Sequence, residues 1–207
     1  MSDTMEPRPE GKLLMTTAPI YPQADPWTVD DLDRLPDGSF YEIIDGSLLV
    51  SPPAIPIHER VSQRLADQVY EAMPDDLEAL THAGVEVAVN YLVPDVAVVR
   101  AAAVDARTKR LHSADVLLVV EVISPSNPKN DRWDKPIRYA GVGIPHFWRV
   151  EIEGDRSPYV VRYGLAGNRY AELGTVWAGA EETADIGFPV TLRPAELTQR
   201  RRRDRPQ

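Results

Sequence analysis

The segment Val116-Leu117-Leu118-Val119-Val120-Glu121-Val122 constrains the fold more than any other in the chain. An unbroken aliphatic run of this length has no polar face to give to water. It therefore reads as a central strand, over 115–123, covered on both sides. The run is far too short to cross a membrane, and no other stretch approaches the length of a span. Glu121 is the anomaly within it. A carboxylate in a doubly covered strand is costly to desolvate unless it is paired or bound to a cation.

The flanking pattern supplies the layers. Phe40 to Ile44 and Leu48 to Val50 are predicted strands, joined by Asp45-Gly46, a strong hairpin signal. Val61, Leu65, Val69 and Met73 recur at helical spacing and predict an amphipathic helix over 57–73, after the Pro52-Pro53 and Pro56 cluster. Val85, Val87 and Val89 alternate as a strand would, and 95–99 is a short apolar run. A helix is expected around 131–140, and 146–150, 159–163 and 170–173 are expected strands, the later ones forming a meander. Thr28, with Asp31 three positions on, marks the start of a short helix at Trp27. The order predicts an α/β (α+β) fold: a mixed central β-sheet flanked by helices, with an extra C-terminal strand meander.

No internal repeat or boundary divides the chain, so 25–197 is expected to be a single domain. Residues 1–24, rich in proline and without periodicity, are expected to be a flexible N-terminal segment. Arg200, Arg201, Arg202, Arg203 and Arg205 make 198–207 a basic disordered tail that can also add phosphate affinity.

Four charged residues stand where the pattern asks for apolar ones: Glu42 within a strand, Asp95 after Pro94, Glu121, and Lys135 just downstream. Two carboxylates on adjacent strands can hold Mg2+ through oxygen, and such an ion polarises a phosphoryl oxygen and activates water. A lysine nearby can orient that water or stabilise the developing charge. Blander readings stand beside this one. Glu121 can be a strand-terminus residue or an ion-pair partner, Asp95 a turn residue, and Glu42 the solvent face of an alternating edge strand.

The joint arrangement resembles a known motif. Pro94-Asp95-Val96-Ala97-Val98-Val99 and Val120-Glu121-Val122-Ile123-Ser124-Pro125-Ser126 are similar to the PD-(D/E)xK nuclease motif, and more narrowly to the Uma-two type of restriction endonuclease. Tyr41-Glu42-Ile43-Ile44-Asp45-Gly46, Ser51-Pro52-Pro53 and His58 match that family's N-terminal signature. Asp131 through Lys135 to Tyr139-Ala140, then Gly143-Ile144-Pro145 and Phe147-Trp148-Arg149-Val150, match its C-terminal one. The resemblance extends from Trp27 to Pro194. It implies a restriction-endonuclease-like core, Mg2+ as cofactor (Mn2+ substituting) and hydrolysis of DNA phosphodiesters. It further implies Asp95, Glu121 and the backbone carbonyl of Ile123 as metal ligands, and Glu42 as an upstream acidic residue that binds or positions the metal. One position departs from the motif: Ile123 stands where its lysine belongs. Lys135 matches the migrated lysine of the family, Lys129 competes with it, and Pro136 disfavours helical geometry at Lys135.

Other residues are less specific. His58 is a candidate for substrate contact or an ordinary helix N-terminal histidine, and Tyr139 shares a helix face with Lys135, where packing beside the site is its expected role. Trp148 reads as core, and His82, His112 and His146 have no zinc-site spacing and read as incidental. With no cysteine there is neither a disulfide nor a thiolate site. Phosphate-binding glycine loops, dinucleotide fingerprints and serine-nucleophile elbows are absent, which leaves NTPase, dehydrogenase and hydrolase-triad readings without support. A net charge of −9 argues against broad attraction to nucleic acid, so a nuclease of this composition needs a locally basic surface. The expected setting is cytoplasmic, and fold analogy suggests a homodimer acting on DNA. The alternative function is a catalytically inactive nuclease-fold module that binds nucleic acid or serves assembly. A phosphodiesterase acting on RNA or a small nucleotide is the third reading.

Overall fold

The computed structural model describes residues 25–36, 39–51, 55–105, 107–123, 130–152 and 158–200. The expectations for 1–24, for the proline loop at 52–54, for the segment at 124–129 with Lys129, and for the arginine run beyond residue 200 lie outside these.

Local chemistry sets the first elements. Thr28 opens a 3-10 helix, Val29–Arg34, where Asp31 Oδ2 accepts from Thr28 N at 2.9 Å and from Thr28 Oγ1 at 2.7 Å. Strands β1 (Phe40–Ile44) and β2 (Ser47–Ser51) pair through a tight turn. Its central residues Asp45 and Gly46 have φ of 48° and 75°, the left-handed pair that matches strand twist in a two-residue hairpin. Helix α1 (Pro56–Tyr70) starts on a proline, whose missing N–H is harmless in a first turn, and buries Val61, Leu65 and Val69 completely. It stops short of Met73 because its end tightens into shorter bonds, Ala72 N to Val69 O and Met73 N to Tyr70 O.

The remaining elements are β3 (Leu77–Thr81), β4 (Val85–Val87), β5 (Asn90–Leu92), β6 (Val96–Arg100), β7 (Leu111–His112), β8 (Val116–Ile123), α2 (Lys135–Gly141), β9 (His146–Glu151), β10 (Tyr159–Ala166), β11 (Arg169–Val176), β12 (Glu182–Asp185) and β13 (Pro189–Leu192). The main sheet has the order β11-β10-β9-β8-β6-β3. It is mixed, since β8 and β9 run parallel while the other neighbours are antiparallel. A second sheet, β2-β1-β5-β4-β7, and the β12–β13 hairpin complete the architecture.

The apolar run does occupy the middle of the sheet. Leu118, Val120 and Val122 face α1 and the β12–β13 hairpin, in one cluster with Leu65, Trp148, Ile186 and Leu192. Val119 faces the other way, toward Leu92 and Leu111 of the second sheet's layer and Tyr139 of α2. With layers on both faces, β8 has no polar side to show, which is why its sequence does not alternate. Glu121 shares the α2 side, where its partners are.

Some expectations are corrected. Val89 is not in a strand: β4 ends at Val87, the chain turns at Ala88-Val89, and Ala88 takes a φ of 54°. Asn90 holds this turn, its Nδ2 donating to Val87 O and its Oδ1 accepting from Asp45 N. Strand β3 and the β12–β13 hairpin were not predicted. Pro136 turns out to be compatible with a helix through Lys135. A wide π-type turn, Asn130–Asp134, precedes α2, and Pro136 falls in its first turn. Arg132 of that turn grips the buried Glu151 of β9, Nε to Oε1 at 3.0 Å and Nη2 to Oε2 at 2.5 Å. No helix among the described residues is long and apolar enough to cross a membrane.

Candidate active site

Pairing between β6 and β8 brings the two predicted carboxylates together. Val96 lies opposite Val120, so Asp95 and Glu121 stand at the next step of the ladder, and Asp95 N donates to Val120 O at 3.0 Å. Pro94 has no N–H to continue that ladder. The Asp95 side chain turns back instead, and Oδ2 accepts from Val122 N at 2.6 Å. Asp95 is 8% exposed and Glu121 1% exposed.

Glu42 reaches the same place from the second sheet, and at 3% exposure it is not on a solvent face. Its Oε1 accepts from Val93 N at 2.9 Å and from Lys135 Nζ at 2.9 Å. Lys135 Nζ also lies 3.2 Å from Glu121 Oε2, so one buried ammonium joins both carboxylates. Tyr139, one turn further along α2, donates its hydroxyl to Glu121 Oε1 at 2.7 Å. It therefore does more than pack beside the site. Burial first, and then the charge of Glu121, push the Tyr139 hydroxyl well above its usual pKa, so it remains a donor. All four sequence-predicted residues, Glu42, Asp95, Glu121 and Lys135, meet at one end of the main sheet. Ile123, the residue in the motif's lysine position, is the last of β8.

Two histidines close the opposite side of Asp95. His58, in the first turn of α1, is 8% exposed, with Nε2 2.9 Å from Val122 O and 3.4 Å from Asp95 Oδ2. His82 follows β3, its N–H donating to Asp95 O, and its Nε2 sits 3.6 Å from Asp95 Oδ1 and 3.5 Å from Glu59 Oε1. His82 had read as incidental. Its backbone φ is 52°, a conformation unfavourable for a residue with a Cβ, and its ring stacks on Phe40 at 5.1 Å. No spacing rule could find it, because it reaches Asp95 through the β3–β6 pairing and not along the chain.

Electrostatics follow the geometry. Burial pushes the Asp95 carboxyl up, but His58 and His82 outweigh it and hold it well below the usual carboxylate range. Burial of His58 opposes protonation, yet the Asp95 carboxylate outweighs it and lifts the imidazole above its ordinary value. His82 is raised chiefly by Asp95, against a smaller effect of burial.

The donor set also fits a divalent cation. Glu42 and Glu121 are buried carboxylates sharing one ammonium, and Asp95 is a third beside them. With neutral imidazoles, that group keeps an excess of negative charge in a poorly solvated place. Carboxylate oxygens are the ligands that hard ions such as Mg2+ and Mn2+ prefer.

Comparison with known proteins identifies the fold and the family. A crystal structure of a "putative nuclease belonging to DUF820" from Anabaena variabilis superposes with a TM-score of 0.61 at 15% identity, covering 84% of this chain and 94% of that one. At that identity the likeness establishes a shared fold, that of a restriction-endonuclease-like core. No curated protein matches the sequence. Residues 29–195 match the Uma2 family, described as "Putative restriction endonuclease", over a span that includes every residue of the site. The chain belongs to the Uma2 family.

Proposed function

We propose that the protein is a metal-dependent endonuclease that hydrolyses DNA phosphodiester bonds. Asp95 and Glu121 would hold Mg2+, or Mn2+ in its place, with the backbone carbonyl of Ile123 as a further ligand. The observation that carries the reading is Lys135 Nζ, buried and shared between Glu42 and Glu121 beside the strand end that bears Asp95. A lone structural ion pair needs one carboxylate, and here one lysine serves two, with a third next to them. Family membership supports the same conclusion.

The chemistry such an ion supplies when bound is Lewis-acid polarisation of a phosphoryl oxygen and activation of water near neutral pH. The protein's own groups have separate tasks. Tyr139 orients Glu121 through its hydroxyl. Glu42, itself anchored by Val93 N–H, positions the Lys135 ammonium. That ammonium orients the attacking water or stabilises the charge that builds on the phosphorane oxygens. His58 keeps Asp95 ionised and is the candidate for substrate contact. A homodimer related by a two-fold axis would cut both strands, and sedimentation of the free protein tests that arrangement.

The test is cleavage of plasmid DNA by the full chain with Mg2+ or Mn2+, beside RNA and cyclic nucleotides. DNA cleavage is expected, falling by about 100-fold or more in Glu121→Ala and in Lys135→Ala. Equal cleavage by either variant would sink the assignment, and turnover of RNA or cyclic nucleotides in preference would change the substrate class. One observation favours a second reading, a nuclease fold that binds without cutting: both Glu121 oxygens already have protein donors, Tyr139 and Lys135. Nucleic-acid binding with no metal-dependent turnover would establish that reading in place of the first.

A further inference from the structure

We propose that His58, Glu59 and His82 form a second cation site, selective for a nitrogen-ligated divalent transition ion of the Zn2+ or Co2+ class and sharing Asp95 with the carboxylate site. The ligand atoms of these three residues all lie within 4.8 Å of one another. Such an ion differs from Mg2+ in its demand for imidazole, and two histidines with one carboxylate make a recurring transition-metal set.

The tautomer of His58 is set by its partner. Val122 O can only accept, so Nε2 carries the proton at 2.9 Å, and in the neutral ring Nδ1 holds the lone pair. Anchoring one ring nitrogen on a backbone carbonyl is how metal-ligating histidines are oriented. That Nδ1 is buried and makes no hydrogen bond among the described residues, and the same is true of His82 Nε2. Each ring thus has a buried nitrogen without a hydrogen bond, whereas buried polar atoms nearly always have one.

The separations around His82 suit an ion. Glu59 Oε1 is 3.5 Å and Asp95 Oδ1 3.6 Å from Nε2, too far for good hydrogen bonds. Ligands bound at about 2.1 Å in a tetrahedron stand roughly 3.4 Å apart, so these gaps are close to those of ligands around a metal. The unfavourable backbone of His82, φ 52°, is what aims its ring at Asp95, and strain held at a polar cluster is a mark of function. The Glu59 side chain is 49% exposed, which leaves the ion a way in. The site does not depend on phosphodiester cleavage.

The probe is Co2+ alone, titrated into metal-stripped full-length protein. Binding is followed by its ligand-field absorption, with pulsed EPR of a Cu2+-loaded sample to detect imidazole nitrogen. Wild type is expected to show nitrogen-ligated binding. Affinity should fall by at least about tenfold in His82→Asn and in Glu59→Gln. Asparagine tolerates the left-handed backbone, and Glu59 is half-exposed, so both variants should fold, which circular dichroism checks. Glu121→Gln should keep the nitrogen-ligated signal, which separates this site from the one on Glu121. Absence of nitrogen ligation in wild type, its persistence in both His82→Asn and Glu59→Gln, or its loss in Glu121→Gln would each overturn the proposal.

Discussion

At the residue scale, the Glu121 carboxylate is fixed by burial and by a donor on each oxygen. It is 1% exposed and meets Lys135 on one oxygen and Tyr139 on the other. Removing a donor from a buried ion exposes the full desolvation penalty of what remains. Tyr139→Phe keeps the ring and its contacts with Phe147 while deleting that donor. It should lower stability by about 2 kcal/mol, read from urea midpoints. A change within a few tenths would mean that Glu121 does not need the hydroxyl. Residues of this kind differ in how far the sequence discloses them. Glu121 was legible because a charge in an aliphatic run is a local contradiction, and Lys135 because the family pattern pairs it with Tyr139 and Ala140. His82 was not. Its partners Glu59 and Asp95 come from α1 and from the start of β6, and nothing in Thr81-His82-Ala83-Gly84 records that meeting.

At the scale of elements, what was legible is what local chemistry decides. The β1–β2 hairpin follows from Asp45-Gly46, and α1 follows from Val61, Leu65 and Val69. The turn between β4 and β5 was misread because Ala88 and Val89 have no turn preference of their own. Asn90 imposes it through bonds to Val87 and to the distant Asp45. The π-type turn ahead of α2 depends in the same way on the clasp of Arg132 on Glu151. One close approach in this part of the molecule gives a sharp prediction. A Cβ placed on Gly84, just before β4, would stand 1.7 Å from the Tyr91 hydroxyl oxygen and 2.1 Å from its Cζ, where Tyr91 lies in the paired strand β5. Gly84→Ala should therefore lower stability by about 2 kcal/mol as Tyr91 is driven from its place. Because the clash includes the ring carbon, Tyr91→Phe should not relieve it, whereas Tyr91→Ala should. A double-mutant cycle by thermal unfolding would detect this, and simple additivity of Gly84→Ala and Tyr91→Ala would show the contact to be irrelevant.

For the whole molecule, the response to pH is a sum of opposed groups, and the sign of each follows from its surroundings. Asp95 is held low by the histidines, so it contributes stability above its unfolded value that is lost as pH falls through its folded one. His58 and His82 are raised by Asp95, so their contribution is present below about pH 6.5 and fades as pH rises through their folded values. His146, at the start of β9 against the central strand, acts in the other direction. Its imidazole is pushed down by burial, only partly offset by Asp185, and its Nδ1 is buried without a hydrogen-bond partner among the described residues. The unfolded chain takes up that proton before the folded one does, so His146 subtracts stability as pH falls through about 6.5. His146→Asn removes this penalty and leaves the Asp95 group untouched. Urea midpoints for wild type and variant at pH 8 and pH 5.5 isolate it, because every other titration cancels in the double difference. Between those values the variant should lose less stability, or gain more, than wild type. Identical shifts would mean that the His146 ring is solvated enough in the folded protein to protonate as freely as in the unfolded chain.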